Sequence, residues 1–261
     1  MSESVSLEAI RATYAHLARW QYRAGRNPPE EPEIGSELHL DDAVFPWHPI
    51  SEVCRVSLVL AGEHLRAARD LIEADQLYPG AHFTVLRSAL MGAAQAVWIL
   101  AAPDREERRE RGLMLIGEMY RQKRAHLGEQ DVRMLTVAQR ALLASQLEWC
   151  QTRVGQVKDA RRSQQQFTQT HVIKAALDLR FEDPEARLDG RLLWRQMSAD
   201  AHVLGWSMFE RADVIKSGAR GGIGTMMAGG DLGHIVEPYL LSFRLLKDGW
   251  SRFDRLCEAG S

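Results

Sequence analysis

The chain of 261 residues suits one large domain, or one domain with terminal additions. Its apolar fraction of 45% and its charged fraction of 26% are ordinary for a soluble globular protein. A formal net charge of −2 argues against non-specific binding of nucleic acid over the whole surface, although it allows a local basic site.

The cysteines and the N-terminus favour a reducing compartment. Cys54, Cys150 and Cys257 lie far apart and form no CxxC pair, so the sequence indicates neither a zinc site nor a disulfide framework. The N-terminal segment is polar and acidic and lacks the basic and apolar regions of a secretory signal. The most apolar run, residues 89–102, is shorter than a membrane-spanning helix requires. We therefore expect a cytoplasmic protein with no membrane partner.

Residues 1–49 are predicted to form an N-terminal helix and an extended arm. Ser6 can cap a helix over about residues 7–24, in which apolar residues recur at helical spacing. A glycine and three prolines then end this helix. We expect the rest of this segment to be a loop or extended arm, attached to the main domain through Phe45 and Trp47.

Residues 50–261 are predicted to form a helical bundle. Its first helices are indicated by capping residues and by apolar residues at helical spacing, and they cover about residues 51–75, 83–100, 105–128, 131–163 and 168–179. The helix over 83–100 is apolar on nearly all sides, so we expect it to be buried on most sides. The alternating arginines and glutamates of the next helix predict a solvent-exposed face.

The C-terminal part is predicted to contain two long helices and a glycine-rich loop. One helix should run from about Leu188 to Ile215 and the other over residues 235–257, with Pro238 in its first turn. Between them, seven glycines from Gly218 to Gly233 predict a mobile loop. This loop lacks the GxxxxGK[ST] pattern of a phosphate-binding loop. The predicted fold class is all-α.

The segment WRQMSADAHVLGW, which begins at Trp194, offers three chemically useful side chains on one face of a helix. Arg195 and His202 are seven residues apart, about two helical turns, and Ser198 lies between them. An imidazole can take or give a proton near neutral pH, and a guanidinium is a planar cation suited to phosphate. This set predicts a site that could bind and cleave a phosphodiester.

An arginine followed after four to six residues by a histidine, on a late helix of an all-helical chain, resembles the HEPN (higher eukaryotes and prokaryotes nucleotide-binding) superfamily. Six residues separate Arg195 from His202 here. The helix AHFTVLRSALMGAAQAVWIL and the order of helices add to this likeness, which covers roughly residues 50–215.

The resemblance implies a HEPN-like bundle that cleaves RNA without a metal or another cofactor. His202 would activate a ribose 2′-hydroxyl, and Arg195 would stabilise the negative charge that develops on the phosphate. It also implies a homodimer in which two Arg–His pairs form one cleft, and, for a toxin, an antitoxin partner.

Each candidate residue also has a structural interpretation. His202 could be hydrogen-bonded within the bundle, and Ser198 could bond to a carbonyl of its own helix instead of to substrate. Arg87, the one charge in its apolar helix, could bind substrate in a cleft or form an intramolecular ion pair. Asp200 is expected to be exposed or to cap a helix. Met91 lies where the resemblance leads us to expect an acidic residue, which favours a non-catalytic role.

Other catalytic classes lack their motifs in this sequence. There is no Glu-x-x-His or HExxH for a metal site and no Gly-x-Ser-x-Gly for a serine hydrolase. We therefore expect a metal-independent endoribonuclease, of a toxin or phage-defence type, with Arg195 and His202 catalytic and with Ser198 and Arg87 binding substrate. The alternative is a non-catalytic nucleotide-binding or dimeric assembly protein.

Overall fold

The computed structural model describes residues 3–211, 213–215, 225–227 and 229–260. Its helices are α1 (Glu3–Arg11), α2 (Tyr14–Ala24), α3 (Glu37–Asp42), α4 (Ile50–Glu73), α5 (Ala81–Leu100), α6 (Arg105–Gly128), α7 (Val137–Ala160), α8 (Gln169–Arg180), α9 (Pro184–Ala201), α10 (Trp206–Arg211) and α11 (Leu232–Cys257). Two short strands, β1 (Asp213–Ile215) and β2 (Thr225–Met227), pair antiparallel. The predicted all-α class is confirmed by this predominantly helical architecture.

The apolar helix α5 lies at the centre, with α4, α6, α8, α9 and α11 packed around it. It is rich in alanine and leucine, which are strong helix formers, and Arg87 is its one charged residue. Most of its side chains are buried, as its sequence predicts. Its length and its mean hydropathy of 1.4 would also suit a membrane-spanning helix. However, 72% of its most apolar 18-residue stretch is buried within the bundle.

The helices α4 and α5 approach each other closely at Gly92. A Cβ atom on this glycine would lie 2.7 Å from the carbonyl oxygen of Ser57, closer than van der Waals contact allows. Gly249 of α11 plays a similar part, since its Cβ would lie 2.7 Å from a methyl group of Leu58. At these two glycines the backbone of one central helix therefore lies directly against atoms of α4. Such close contact leaves no void between the three helices, as is usual in a densely packed interior.

The N-terminal segment forms three helices that contribute Ile10, Leu17 and Leu38 to the same hydrophobic core. The predicted single helix over 7–24 is interrupted, because the Thr13 hydroxyl donates to the Ile10 carbonyl oxygen at 2.6 Å, a local bond that competes with the helical one. The predicted arm contains α3, which the Ser36 hydroxyl caps by accepting from the backbone N–H of His39. With only six residues, α3 is too short to show a helical pattern in the sequence.

The charged start of α6 packs against α3, so the prediction of a solvent-exposed face is wrong for its arginines. Arg108 pairs with Glu37 and with the fully buried Asp41. Arg105 pairs with the same Glu37, and Arg109 pairs with the same Asp41. An unpaired charge is costly to bury. The acidic residues of α3 therefore pair with these arginines and hold the start of α6 against α3.

The helices α6 and α7 form an antiparallel hairpin that extends from the bundle. Asp131, predicted to cap the second helix, caps a 3-10 turn at Val132–Met134 instead. Thr136 caps α7 through a reciprocal capping box with Gln139. At the other end of α7, the Glu110 carboxylate accepts hydrogen bonds from the Arg161 guanidinium, the backbone N–H of Arg162 and the Ser163 hydroxyl.

The C-terminal part differs from its prediction in three details. The helix expected over 188–215 ends at Ala201, and α10 and β1 follow it. The predicted glycine-rich loop lies largely outside the described residues, although its residues Thr225–Met227 form β2. Pro238 lies in the second turn of α11, because that helix begins at Leu232, three residues earlier than predicted.

Replacing Gly92 by alanine should destabilise the protein by about 1–3 kcal/mol, because the added methyl group would overlap the Ser57 carbonyl oxygen. Gly155 of α7 is a matched control, since no atom lies within 4 Å of the position of its Cβ. Gly155→Ala should stabilise the protein by about 0.5–1 kcal/mol through helix propensity. Urea unfolding measures both free energies, and equal midpoints for the two variants would contradict the close approach of α4 and α5.

Candidate functional site

The helix α9 carries the predicted catalytic segment near its C-terminal end. It begins at Pro184, which suits the first helical position, after Asp183 has capped the backbone N–H of Glu185. Arg195 and Ser198 lie in its last two turns, and His202 is the capping residue that directly follows Ala201. The sequence had predicted His202 within the helix, but it lies at the end of the helix.

The turn after α9 has the hydrogen bonds of a Schellman motif. The N–H of Leu204 donates to the Ala199 carbonyl oxygen at 2.8 Å, and the N–H of Val203 donates to the Asp200 carbonyl oxygen at 3.0 Å. Val203 has a φ of +57°, where a glycine is usual and a β-branched residue is strained. The apolar pattern continues through Val203 and Leu204, so the sequence gives no sign that the helix ends there.

The structure brings all four predicted site residues together. Arg87 from α5 and Arg195, Ser198 and His202 from the end of α9 line one open pocket of about 360 Å3. The pocket is completed by residues from the start of α8, from α9 and from the turn that follows it: Thr168, Gln169, Thr170, Trp194, Ala199, Leu204 and Trp206. Gln169 and Trp206 were not predicted as site residues, since nothing in the sequence shows that α8 lies beside α9.

Arg87 lies between α8 and α9 and contacts both. Its Nε donates to the Ser198 hydroxyl at 3.3 Å, and its Nη2 donates to the Gln169 side-chain oxygen at 2.8 Å. Its guanidinium carbon lies 4.7 Å from the centre of the Trp194 ring. Burial lowers the pKa of Arg87, and no carboxylate among the described residues pairs with it. Of its two interpretations, the structure therefore shows Arg87 lining a cleft.

Arg195 and His202 are exposed to solvent at this pocket. Within the described part of the chain, neither the imidazole nor this guanidinium forms a hydrogen bond or an ion pair, so both can meet a ligand. The Ser198 hydroxyl accepts from Arg87, and among the described residues it makes no bond back to a carbonyl of its own helix. The four predicted residues thus bring two guanidinium cations, one imidazole and the Ser198 hydroxyl into the pocket.

The lining of the pocket contains no acidic residue, so its electrostatic potential favours an anion. Asp200, although it follows Ser198 closely, is directed elsewhere and its side chain is only 2% exposed. Its Oδ1 accepts from the Arg211 guanidinium at 2.7 Å and from the Ser207 hydroxyl at 3.0 Å. The prediction that Asp200 is exposed or caps a helix is wrong, because it forms a buried ion pair that fastens α10 to α9.

Met91 does not line this pocket. It is buried at a second groove of about 320 Å3 between α4, α5 and α6, beside Leu60, His64 and Met119. Arg87, one helical turn before Met91, lines both this groove and the Arg195 pocket. Among the described residues, no group of three or more histidine, cysteine, aspartate or glutamate side chains could hold a metal ion.

Replacing Val203 by glycine should stabilise the protein, because glycine adopts a φ of +57° without strain and the valine side chain is 89% exposed. The relief of about 1–2 kcal/mol is offset in part by the greater freedom of glycine in the unfolded chain. Thermal unfolding should show a higher Tm for Val203→Gly and a smaller change for Val203→Ala, which keeps a Cβ. A lower Tm for the glycine variant than for the alanine variant would contradict the left-handed turn.

Comparison of this chain with protein-family models, with curated proteins and with solved structures finds no match. The likeness to the HEPN superfamily therefore stands on the Arg195–His202 spacing and on the order of the helices. We therefore infer the function from the pocket, with its two arginines and its imidazole.

Proposed function

We propose that this pocket is the active site of a metal-independent endoribonuclease of a toxin or phage-defence type, in a HEPN-like bundle. One observation carries the proposal: Arg87, Arg195 and His202 line a single open pocket that has no acidic residue in its lining. A pocket with two fixed cations attracts a phosphodiester, and an exposed imidazole beside them can transfer a proton.

In the proposed reaction, His202 takes the proton of a ribose 2′-hydroxyl. The 2′-oxygen then attacks the adjacent phosphorus and the bond from phosphorus to the 5′-oxygen breaks, which leaves a 2′,3′-cyclic phosphate. The departing 5′-oxygen receives a proton from water, and the hydroxide that this leaves takes the proton held by His202. Arg195 stabilises the charge that accumulates on the phosphate oxygens, and Arg87, held by Ser198 and Gln169, positions the phosphate.

A homodimer in which two α9 helices meet would place two such pockets side by side. Leu188, Leu192 and Arg195 recur at helical spacing and are all exposed, so they form one face of α9. Two leucines about half exposed on one helix face provide apolar surface for a symmetric contact beside the pocket. The second copy would supply a second imidazole, which can act as the acid for the leaving oxygen.

The alternative function is a non-catalytic nucleotide-binding or dimeric assembly protein. One observation favours it: the pocket of a single chain offers one imidazole, whereas a cleavage reaction benefits from both a base and an acid. A monomer that binds nucleotides and leaves RNA intact would agree with this alternative.

If the protein cleaves RNA, cleavage should persist in EDTA, because the proposed chemistry uses only imidazole and guanidinium groups. His202→Ala should reduce the rate by about 10²-fold or more, the usual scale for a lost acid–base group. Arg195→Lys should only partly restore the activity lost in Arg195→Ala, since lysine keeps the charge but loses the planar pair of donors.

His126→Ala is the matched control, because this histidine is exposed on α6 and does not line the pocket. Cleavage of a labelled RNA by the purified variants measures the effect. Equal rates for His202→Ala and His126→Ala would refute the assignment, and activity lost in EDTA and restored by manganese would show that a metal is used.

Leu192→Glu should convert the proposed dimer into a monomer, because a charge would be buried in the apolar contact. Leu142→Glu is the control, since this leucine is similarly exposed but lies on α7. Sedimentation equilibrium at micromolar concentration distinguishes the two masses. A wild-type protein that sediments as a monomer would contradict the dimer.

A further inference from the structure

The pocket has a polar part and an apolar part that come from different segments. The polar part consists of Arg87, Arg195 and the hydroxyl and amide groups at the start of α8. The apolar part is formed by Ala199 at the end of α9 and by Leu204 and Trp206 beyond the turn. A ligand that fills both parts must carry a negative charge and also a flat or apolar group.

The two tryptophans of the pocket differ in what their rings contact. Trp194 is 4% exposed and its ring is covered by the Arg87 guanidinium. Trp206 is 42% exposed, and in the described part of the chain its ring stacks on no other aromatic ring or cation. Trp206 is therefore the indole whose surface is available to a ligand.

Trp206 is held in place by the residues that follow it in α10. The Ser207 hydroxyl and the Arg211 guanidinium both donate to Asp200 of α9. Arg211 also donates to the Pro79 carbonyl oxygen at 3.1 Å, and its guanidinium carbon lies 3.7 Å from the centre of the Phe83 ring. These bonds fix the backbone that carries Trp206, so a ligand that stacks on the ring has to order only its two side-chain torsions.

We propose that Trp206 stacks on an unpaired base of the RNA while Arg87 and Arg195 hold its phosphate, so that the pocket selects single-stranded RNA. This inference rests on the proposed function for the identity of the ligand. A base in an A-form duplex remains in its stack and cannot reach an indole, whereas an unpaired base can. The pocket volume of about 360 Å3 suits a small part of a ligand, such as one nucleotide, and not a helix of RNA.

The test uses the His202→Ala protein, so that RNA is bound but not cleaved. Binding is measured by the fluorescence anisotropy of a labelled ten-nucleotide RNA. This RNA should bind more tightly single-stranded than in a duplex with its complement. Trp206→Ala should weaken binding of the single strand on the order of tenfold, the scale of one base stacked on an aromatic side chain. Trp206→Phe should retain most of the affinity, because phenylalanine keeps an aromatic face.

Two controls separate stacking from folding and from charge. Trp47→Ala removes another exposed indole outside the pocket and should leave binding unchanged. An abasic oligomer, which has phosphates but no bases, should bind equally to the proteins with and without Trp206. Circular dichroism and sedimentation confirm that each variant keeps the fold and the oligomeric state of its parent.

The outcomes for stacking and for cleavage can be told apart. Equal affinity of Trp206→Ala and its parent, or equal affinity for single strand and duplex, would overturn the stacking role whether or not the wild-type protein cleaves RNA. Binding that depends on Trp206, in a wild-type protein that leaves RNA intact, would support stacking and count against the ribonuclease. No binding of the single strand at all would overturn the inference.

Discussion

The fold depends on α5, whose apolar side chains point in every direction and must be covered on every side. Five other helices provide that cover, and each of them uses an apolar face of its own to do so. Close approach at Gly92 and Gly249 brings α4 and α11 near enough to exclude water from the contact. Because burial of apolar surface drives folding, the positions of α8 and α9, and therefore of the pocket between them, follow from the need to cover α5.

Arg87 is the exception in this helix, and it determines the character of the site. Desolvation makes a half-buried guanidinium costly unless it is hydrogen-bonded, and the structure supplies Ser198, Gln169 and the face of Trp194 instead of a carboxylate. The positive charge is thus directed at the pocket, and no carboxylate among the described residues neutralises it. Asp200, the acid nearest to Ser198 in the sequence, is paired with Arg211 instead. An anionic ligand would complete the electrostatics of the site.

Much of this architecture could be predicted from the sequence, since α4, α5, α6 and α11 each show a long helical pattern. The grouping of Arg195, Ser198 and His202 was also predictable, because their spacing places them on one side of a helix. The end of α9 was not, since its left-handed residue is a valine and the apolar pattern continues through it. Gln169 and the Asp200–Arg211 pair depend on contacts between segments, about which a single sequence carries no periodic signal.

The hairpin of α6 and α7 has a mechanical consequence. Its base is fixed where Glu110 gathers three hydrogen bonds, whereas its far end carries four exposed apolar side chains, Val132, Met134, Val137 and Leu142, and has few neighbours. The most extensive contacts of α7 are with α6, so α7 can separate from α6 while the helices that cover α5 stay in place. Stability in such a molecule is unevenly distributed. Amide hydrogens at the hairpin turn should exchange with solvent through local openings. Those of α5 should exchange much later, because their exchange requires global unfolding. We therefore expect the outer part of this hairpin to open as a cooperative unit apart from the centre of the bundle.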